Sequence, residues 1–207
     1  MKKFILLIWL ISLMFACQAQ NARFLKNVGD KESRDYKSAM IYGIFVQRLG
    51  FKSGGLPQFV KIYNIDQNKE YRLKVKDAFT SRKNTLFCAE LPLGNYELRS
   101  YIYEKSKWYG GIIYEEQLYK NVDCSDSVKY KAAVDSIGLS SFKRFTFTIS
   151  EVLAYYAGQW DFGTGIVSFL SDKPTADEKL KRLIHLSDGS NATSILPFEE
   201  ARDLARE

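Results

Sequence analysis

The feature that most constrains the fold is a succession of short β-rich segments between residues 40 and 170, separated by turn-forming residues. Residues 71–75 and 145–149 alternate apolar and polar side chains, which is the period of a strand with one buried face. Residues 92–95 (PLGN) supply a turn. About eight such strands at close spacing are typical of two stacked antiparallel sheets. We therefore expect a mostly β chain whose residues 39–172 form an antiparallel β-sandwich.

The N-terminus has the layout of a signal peptide over residues 1–16. Lys2 and Lys3 precede an apolar run, residues 4–16, which at 1.5 Å per residue spans roughly 20 Å and is too short for a bilayer core of about 30 Å. This pattern predicts export. The next segment, residues 17–38, is polar, and as a flexible tether it would reach roughly 25 Å.

A resemblance at the end of the leader concerns the mature N-terminus. Leu13-Met14-Phe15-Ala16-Cys17 resembles the lipobox of bacterial lipoproteins, although the residues before Ala16 are larger than usual in that family. The resemblance implies that Cys17 is acylated on sulfur and holds the protein at a membrane of the cell envelope, such as the outer membrane. The alternative is ordinary cleavage after Ala19, which would release a soluble periplasmic or secreted protein.

In the C-terminal part, residues 173–207, the alternating pattern of the strands gives way to helical spacing, and we expect a helical tail. Residues 175–178 (TADE) match a capping box, and Gly189 suits a helix end. Residues 197–207 could add a short terminal helix, whereas residues 121–140 are polar and are expected to be irregular. Apolar residues follow the capping box at helical spacing: Ala176, Leu180, Leu183 and Ile184.

Two short motifs carry a second resemblance, which covers roughly residues 40–170. Residues 91–98 (LPLGNYEL) look like the "LPxGxYxL" strand–turn–strand signature of transthyretin-like and carboxypeptidase-regulatory-like β-sandwiches. Residues 155–160 (YYAGQW) resemble the "YYxG" strand of small exported bacterial lipoprotein domains of unknown function. The resemblance implies a fold and an envelope location, and it carries over no catalytic residues.

Few residues suit catalysis or metal binding. His185 is the single histidine, and it falls on the predicted tail helix, far in sequence from any serine in a tight turn. One histidine also argues against the usual zinc sites, and we expect no metal or cofactor. Glu115, Glu116 and Asp161 lie near aromatic residues and could serve a hydrolase of envelope polysaccharides, but charged residues beside strands usually face solvent.

Cys88 and Cys124 remain after the leader is removed. An oxidising envelope would allow them to form a disulfide, which in the chain-entropy model would contribute roughly 4 kcal/mol. The alternative is two separate thiols. Their spacing in the sequence is compatible with both.

The richest candidate for binding is an aromatic segment. Aromatic faces stack on sugar rings and anchor protein interfaces, although tyrosine and tryptophan also favour strands and pack across them. We expect a non-catalytic envelope module for a protein or glycan partner, with a hydrolase or a periplasmic assembly factor as alternatives. Positive charge is modest and scattered, so nucleic acid is not an expected partner. The candidate binding platform is Tyr101, Tyr103, Trp108, Tyr109 and Tyr114.

Overall fold

The computed structural model describes a mostly β chain, which confirms that part of the prediction. The residues it describes are 23–25, 38–47, 56–78, 83–107, 110–183 and 191–196. Several predictions lie outside these residues: the signal peptide 1–16, Cys17, Trp108, Tyr109, His185 and the terminal helix 197–207.

The described residues contain eleven strands and two α-helices. The strands are β1 Arg23–Phe24, β2 Ser38–Val46, β3 Gln58–Asn64, β4 Lys69–Lys76, β5 Asn84–Pro92, β6 Gly94–Lys107, β7 Gly110–Gln117, β8 Thr146–Ile149, β9 Ala154–Asp161, β10 Ser168–Leu170 and β11 Thr193–Ser194. The helices are α1 Ser127–Ile137 and α2 Lys173–Leu183, and a 3-10 turn covers Leu139–Ser141.

A six-stranded sheet has the order β1-β4-β3-β6-β7, and β8 pairs with the first residues of β6. The long strand β6 makes this possible, because Gly94–Glu97 pairs with β8 and Ser100–Lys107 pairs with β7 along the same edge. β1 runs parallel to β4, with Arg23 opposite Tyr71. β1 lies inside the segment expected to be a flexible tether, so that segment is not coil throughout.

A five-stranded sheet has the order β10-β9-β2-β5, and β11 also pairs with β9. It is mixed, because β9 runs parallel to β2, and the expectation of purely antiparallel pairing is wrong for this pair. The reason is the route of the chain. β8 belongs to the other sheet and ends at Ile149 beside Gly94, so the chain crosses over and enters β9 at the end where β2 also begins.

Buried side chains from both sheets form one apolar core. Trp160 is fully buried, with its ring 4.7 Å from that of Phe87 and 5.7 Å from that of Phe169. In the six-stranded sheet, Tyr96 stacks on Phe147 at 5.2 Å. Alternation along the strands sends these side chains to the inner faces, as the period-2 pattern predicts.

A second apolar cluster lies under helix α2, on the outer face of the five-stranded sheet. Ala176 and Leu180, one helical turn apart, are fully buried there. Tyr42 of β2 donates a hydrogen bond to Asp177, whose other oxygen lies 2.6 Å from Lys173 Nζ. Burial, followed by the hydrogen bond to Asp177 and the negative charge of that carboxylate, raises the pKa of Tyr42 well above its ordinary value.

The predicted tail needs two corrections. The helix begins at Lys173 and not at a Thr175 cap: the Asp172 carbonyl accepts from Ala176 N at 3.2 Å, and its side chain accepts from Thr175 N at 3.4 Å. Residues 193–194 then form strand β11 beside β9, so the tail is not helical throughout. Polar residues 193–194 carry no periodic apolar signal that would predict this pairing.

Helix α1 was not expected, because residues 121–140 were predicted to be irregular. Asp126 caps it by accepting from Val128 N and Lys129 N, and Gly138 ends it with φ of 74°. None of its residues is buried, so it lacks the apolar face by which a helix is usually predicted. The cap and the glycine were the available signals.

Candidate functional site

The outer face of the six-stranded sheet is the strongest candidate for a functional surface. Helix α2 packs on the outer face of the other sheet, whereas on this face Ile113 is 72% exposed and the side chains of Lys61 and Glu70 are 17% and 20% exposed. The face follows from strand alternation, since Val60 and Ile62 of β3 enter the core and their neighbours point outward. The outer face consists of Phe59, Lys61, Tyr63, Glu70, Arg72, Lys74, Ser100, Ile102, Ile113, Glu115 and Gln117.

An ion-pair network occupies the centre of the outer face. Lys61 Nζ lies 2.8 Å from Glu115 Oε1 and 3.6 Å from Glu70 Oε1. Ser100, which is fully buried, donates to the same Glu115 oxygen at 2.6 Å. The network links three strands, β4, β3 and β7, through one lysine. These side chains are therefore held in place before any partner arrives.

Two arginines stack on tyrosine rings beside this network. The Arg99 guanidinium lies 3.5 Å from the centre of the Tyr63 ring, and its Nε donates to Glu97 at 2.8 Å. The Arg144 guanidinium lies 4.3 Å from the Tyr119 ring and donates to the Arg99 carbonyl at 2.8 Å. Planar stacked guanidinium groups of this kind are frequent in interfaces.

Sequence reasoning missed these residues. Lys61 could have been found, because alternation in β3 places it between Phe59 and Tyr63 on the polar side. Arg144 could not, because its contacts with Arg99 depend on how distant parts of the chain meet in the fold.

The ionisation of Glu115 should make stability depend on pH. Burial favours the neutral acid, but hydrogen bonds from Lys61 and Ser100 outweigh it and hold the pKa of Glu115 below its ordinary value. Such a carboxylate stabilises the folded chain above its ordinary pKa, and the contribution disappears as the pH falls through the lowered pKa. Because Glu115 is 41% exposed, we expect Glu115→Gln to lower the free energy of unfolding by only about 0.5 kcal/mol at pH 7.

Urea unfolding at pH 7 and near pH 3 checks this, with the exposed Glu151→Gln as the control. The difference in unfolding free energy between wild type and Glu115→Gln should be smaller at the lower pH. An equal difference at both pH values would contradict the ion-pair network.

The predicted aromatic platform is placed differently from expectation. Tyr101, Tyr103 and Tyr114 do lie together, with ring centres 5.0 Å apart for the first pair and 5.4 Å for the second. They point to the inner side of β6 and β7, however, and Tyr101 and Tyr103 are 0% and 4% exposed. The rings of these two residues pack against other aromatic side chains, so Tyr101 and Tyr103 do not form a surface that is open to a ligand. The cause is packing between the two sheets, which places the Tyr101 ring 4.7 Å from that of Phe162, the residue after β9.

Tyr114 is the one of these three tyrosines that is partly exposed. Its ring stacks on Tyr103 at an angle of 9°, and Lys105 Nζ lies 4.6 Å from its centre. The Tyr103 hydroxyl donates to Glu116. These residues therefore lie at the edge of the core, on the inner side of the sheet and opposite the outer face.

The three carboxylates proposed for hydrolysis do not share a face. Glu115 points to the outer face, while its neighbour Glu116 points inward to Tyr103 because successive strand residues alternate. Asp161 pairs with Val46, which belongs to the cluster under α2 on the other sheet. Glycoside hydrolysis needs two carboxyl groups on either side of one bond, about 5–10 Å apart. The side chains of Glu115, Glu116 and Asp161 point to different faces and do not provide such a pair.

Cys88 and Cys124 are not joined by a disulfide. Cys88 lies in β5 at the margin of the cluster under α2, opposite Tyr42. Cys124 lies in the turn before α1, near Glu116 and Asp123. The two thiols belong to different sides of the molecule, which the sequence spacing did not reveal.

Cys124 should react slowly as a nucleophile. Burial, assisted by the negative charges of Glu116 and Asp123, raises the pKa of its thiol to about 11. At pH 8 only about one molecule in a thousand would then carry the thiolate. In a Cys88→Ala background, we expect iodoacetamide to modify Cys124 about 100-fold more slowly in the folded chain than in urea. Equal rates, measured by mass spectrometry, would show that the thiol is accessible and ionised.

The two recognised motifs serve the architecture. In residues 91–98, Gly94 has φ of 145°, and a Cβ there would lie 2.5 Å from Asn64 Nδ2, so glycine is required. The Asn64 amide donates to the Leu93 carbonyl at 3.3 Å, and the Tyr96 hydroxyl donates to the Pro92 carbonyl at 2.6 Å. The motif therefore fixes the crossing from one sheet to the other.

The second motif forms a bulge in β9. Gly158 has φ of 90°, and the register between β2 and β9 shifts where Gly43 faces it. The Tyr155 hydroxyl accepts from Glu151 N at 3.0 Å, and Trp160 Nε1 donates to the Ala157 carbonyl at 2.8 Å. These residues stabilise the sheet and contribute no reactive group.

No protein-family model and no curated protein matches the sequence. Among solved structures, the chain is similar to a leucine-rich repeat protein from Bacteroides thetaiotaomicron VPI-5482, with 10% identity and a TM-score of 0.34. That match covers 72% of this chain and 16% of the other, and it carries no functional argument. Within the described residues, no helix has the length and apolar character needed to cross a membrane.

Proposed function

We propose that this chain is an exported β-sandwich domain, anchored by lipid at Cys17, that acts as a non-catalytic binding module in the cell envelope. Its partner is an envelope protein or glycan. The apolar leader and the small residue before Cys17 support export and lipidation. The core shared by the two sheets supports the sandwich arrangement.

The observation that carries the binding role is the contrast between the two outer faces. Helix α2 occupies one, and the other keeps Lys61, Glu70 and Glu115 in a fixed network beside stacked arginine–tyrosine pairs. Interfaces favour such a mixture of aromatic, arginine and ordered polar groups on a rigid support. The outer face is therefore the surface on which we expect the partner to bind.

Photo-crosslinking in the envelope tests the location of the partner. Benzoyl-phenylalanine in place of Ile113, on the outer face, should give a discrete adduct after irradiation. The matched control is Leu170 of β10, which is 49% exposed on the other sheet and should give none. Adducts of the same kind from both positions, or from neither, would contradict the proposal.

A substitution separates recognition from folding. Lys61→Ala removes the centre of the network, and we expect the partner to be captured at least about fivefold more weakly, as for a residue at the centre of an interface. Lys69→Ala, at the exposed start of β4, should leave capture unchanged. Thermal unfolding of both variants verifies that they remain folded.

A further inference from the structure

Three turns meet at one end of the molecule. Residue pairing places the end of β3 and the start of β6 together, with Asn64 opposite Tyr96. It also places Gly94 opposite Ile149 at the end of β8, and Ala154 at the start of β9 beside Met40. The β3–β4, β5–β6 and β8–β9 turns therefore project from the same end.

Hydrogen bonds fix these turns to one another and to the sheets. Ile65 N donates to the Asn95 carbonyl at 2.8 Å, which joins the first two turns. The Thr148 hydroxyl donates to Asn95 Oδ1 at 2.8 Å, and Met40 N donates to the Leu153 carbonyl at 3.0 Å, which holds the third. The end is consequently a preformed surface.

This surface exposes large apolar side chains from all three turns. Ile65 is 48% exposed, Leu93 36%, Val152 48% and Leu153 49%. We name these four residues the apolar end. Apolar residues on three neighbouring turns form the kind of patch that marks an interaction site.

The start of β1 points toward this same end. β1 runs parallel to β4, so Arg23 is the residue of β1 nearer to the end where β4 begins after the β3–β4 turn. Leu25 holds it there, because its amide donates to the Arg72 carbonyl at 3.1 Å and its side chain packs against the core. From Cys17 to Arg23 the chain can span at most about 20 Å. A lipid on Cys17 would thus keep the membrane close to the apolar end.

We propose that the apolar end rests on the membrane that carries the lipid anchor, with Ile65, Leu93, Val152 and Leu153 in contact with the lipid surface. This inference rests on the proposed anchoring at Cys17. The occupant is the bilayer surface because the anchor places it there and the exposed groups are apolar. Asp66 and Glu151 lie in the same turns, so attraction to anionic lipids is not the source of the contact. Contact should therefore be insensitive to salt.

Tryptophan quenching by brominated lipid tests the orientation. The full chain is expressed with its leader, extracted from membranes and reconstituted into phosphatidylcholine vesicles with brominated or plain acyl chains. Two variants are compared, Leu153→Trp at the apolar end and Ile113→Trp as the control. Ile113 pairs with Glu104, and at about 3.3 Å per residue along β6 from Gly94 it lies roughly 30 Å from this end.

We expect quenching of the added tryptophan to be at least about threefold greater at position 153 than at position 113, since interfacial side chains sit only about 5–10 Å into the bilayer boundary. Protein that floats with the vesicles but is quenched equally at both positions would overturn the inference and leave the anchoring intact. Protein that does not float at all would overturn the anchoring, and the inference with it.

Discussion

Replacing Trp160 with alanine is expected to lower the free energy of unfolding by about 3–5 kcal/mol, the range found for buried tryptophan and phenylalanine. Trp160 is fully buried between Phe87 and Phe169 and donates to the Ala157 carbonyl within the bulge of β9. The substitution removes the packing of Trp160 against Phe87 and Phe169 and leaves a cavity on the inner face of the five-stranded sheet, within the core cluster to which both sheets contribute. Because domains are stable by only about 5–15 kcal/mol, much of the chain should unfold at moderate temperature.

Urea unfolding followed by circular dichroism measures this loss. The matched control is Ile113→Ala, whose side chain is 72% exposed and whose effect should stay within about 0.5 kcal/mol. A loss below 1 kcal/mol for Trp160→Ala would mean that Trp160 is not packed in a buried core.

Gly43→Ala is expected to destabilise the protein by about 2–3 kcal/mol, because it overpacks the middle of the five-stranded sheet. A Cβ at this position would lie 2.5 Å from the Gly158 carbonyl and 2.6 Å from the Phe87 ring. The Gly158 carbonyl is a backbone group in the neighbouring strand β9, so it cannot move away by changing a side-chain rotamer. β2 and β9 would have to separate where the bulge holds them in register.

A second glycine separates lack of space from backbone strain. Gly138 has φ of 74°, but a Cβ there would lie 3.9 Å from Ser140 Oγ, an ordinary van der Waals distance. Gly138→Ala should therefore lower the free energy of unfolding by about 1 kcal/mol, through strain alone. If thermal unfolding shows that Gly43→Ala destabilises the protein no more than Gly138→Ala does, β2 and β9 do not approach each other as closely at Gly43 as described.

The pattern of strands was predictable because alternation is a local property. Residues 71–75 and 145–149 send their apolar side chains inward as their sequence predicts. The direction of β9 was not predictable, since it depends on the chain crossing from one sheet to the other before β9 begins. Helix α1 was missed because it buries no side chain, and β11 because two polar residues pair with β9 through their backbone.

The candidate surface was predicted less well than the fold. Counting aromatic residues identified the β6–β7 hairpin correctly as a cluster, but strand alternation turns Tyr101 and Tyr103 into the core. Lys61 was not among the predicted site residues, although its position in β3 places it on the outer face. A binding surface is defined by what remains uncovered after folding, and composition alone does not contain that information.

The two proposals assign different roles to two surfaces, partner binding to the outer face and membrane contact to the apolar end. The apolar end would face the lipid surface, and β6 extends from Gly94 at that end to Lys107. The outer face, which lies along β3, β6 and β7, would then stand beside the membrane and remain open to a partner. A short anchor would thus present the binding surface at a fixed height.

Delivery to a membrane through Cys17 is the central claim, and mass spectrometry of the mature N-terminus tests it most directly. The protein is purified from the membrane fraction of the cell in which it is expressed with its leader, and its N-terminal peptide is sequenced. We expect a peptide that begins at Cys17 and carries acyl chains. An unmodified peptide beginning at Gln20 would contradict it.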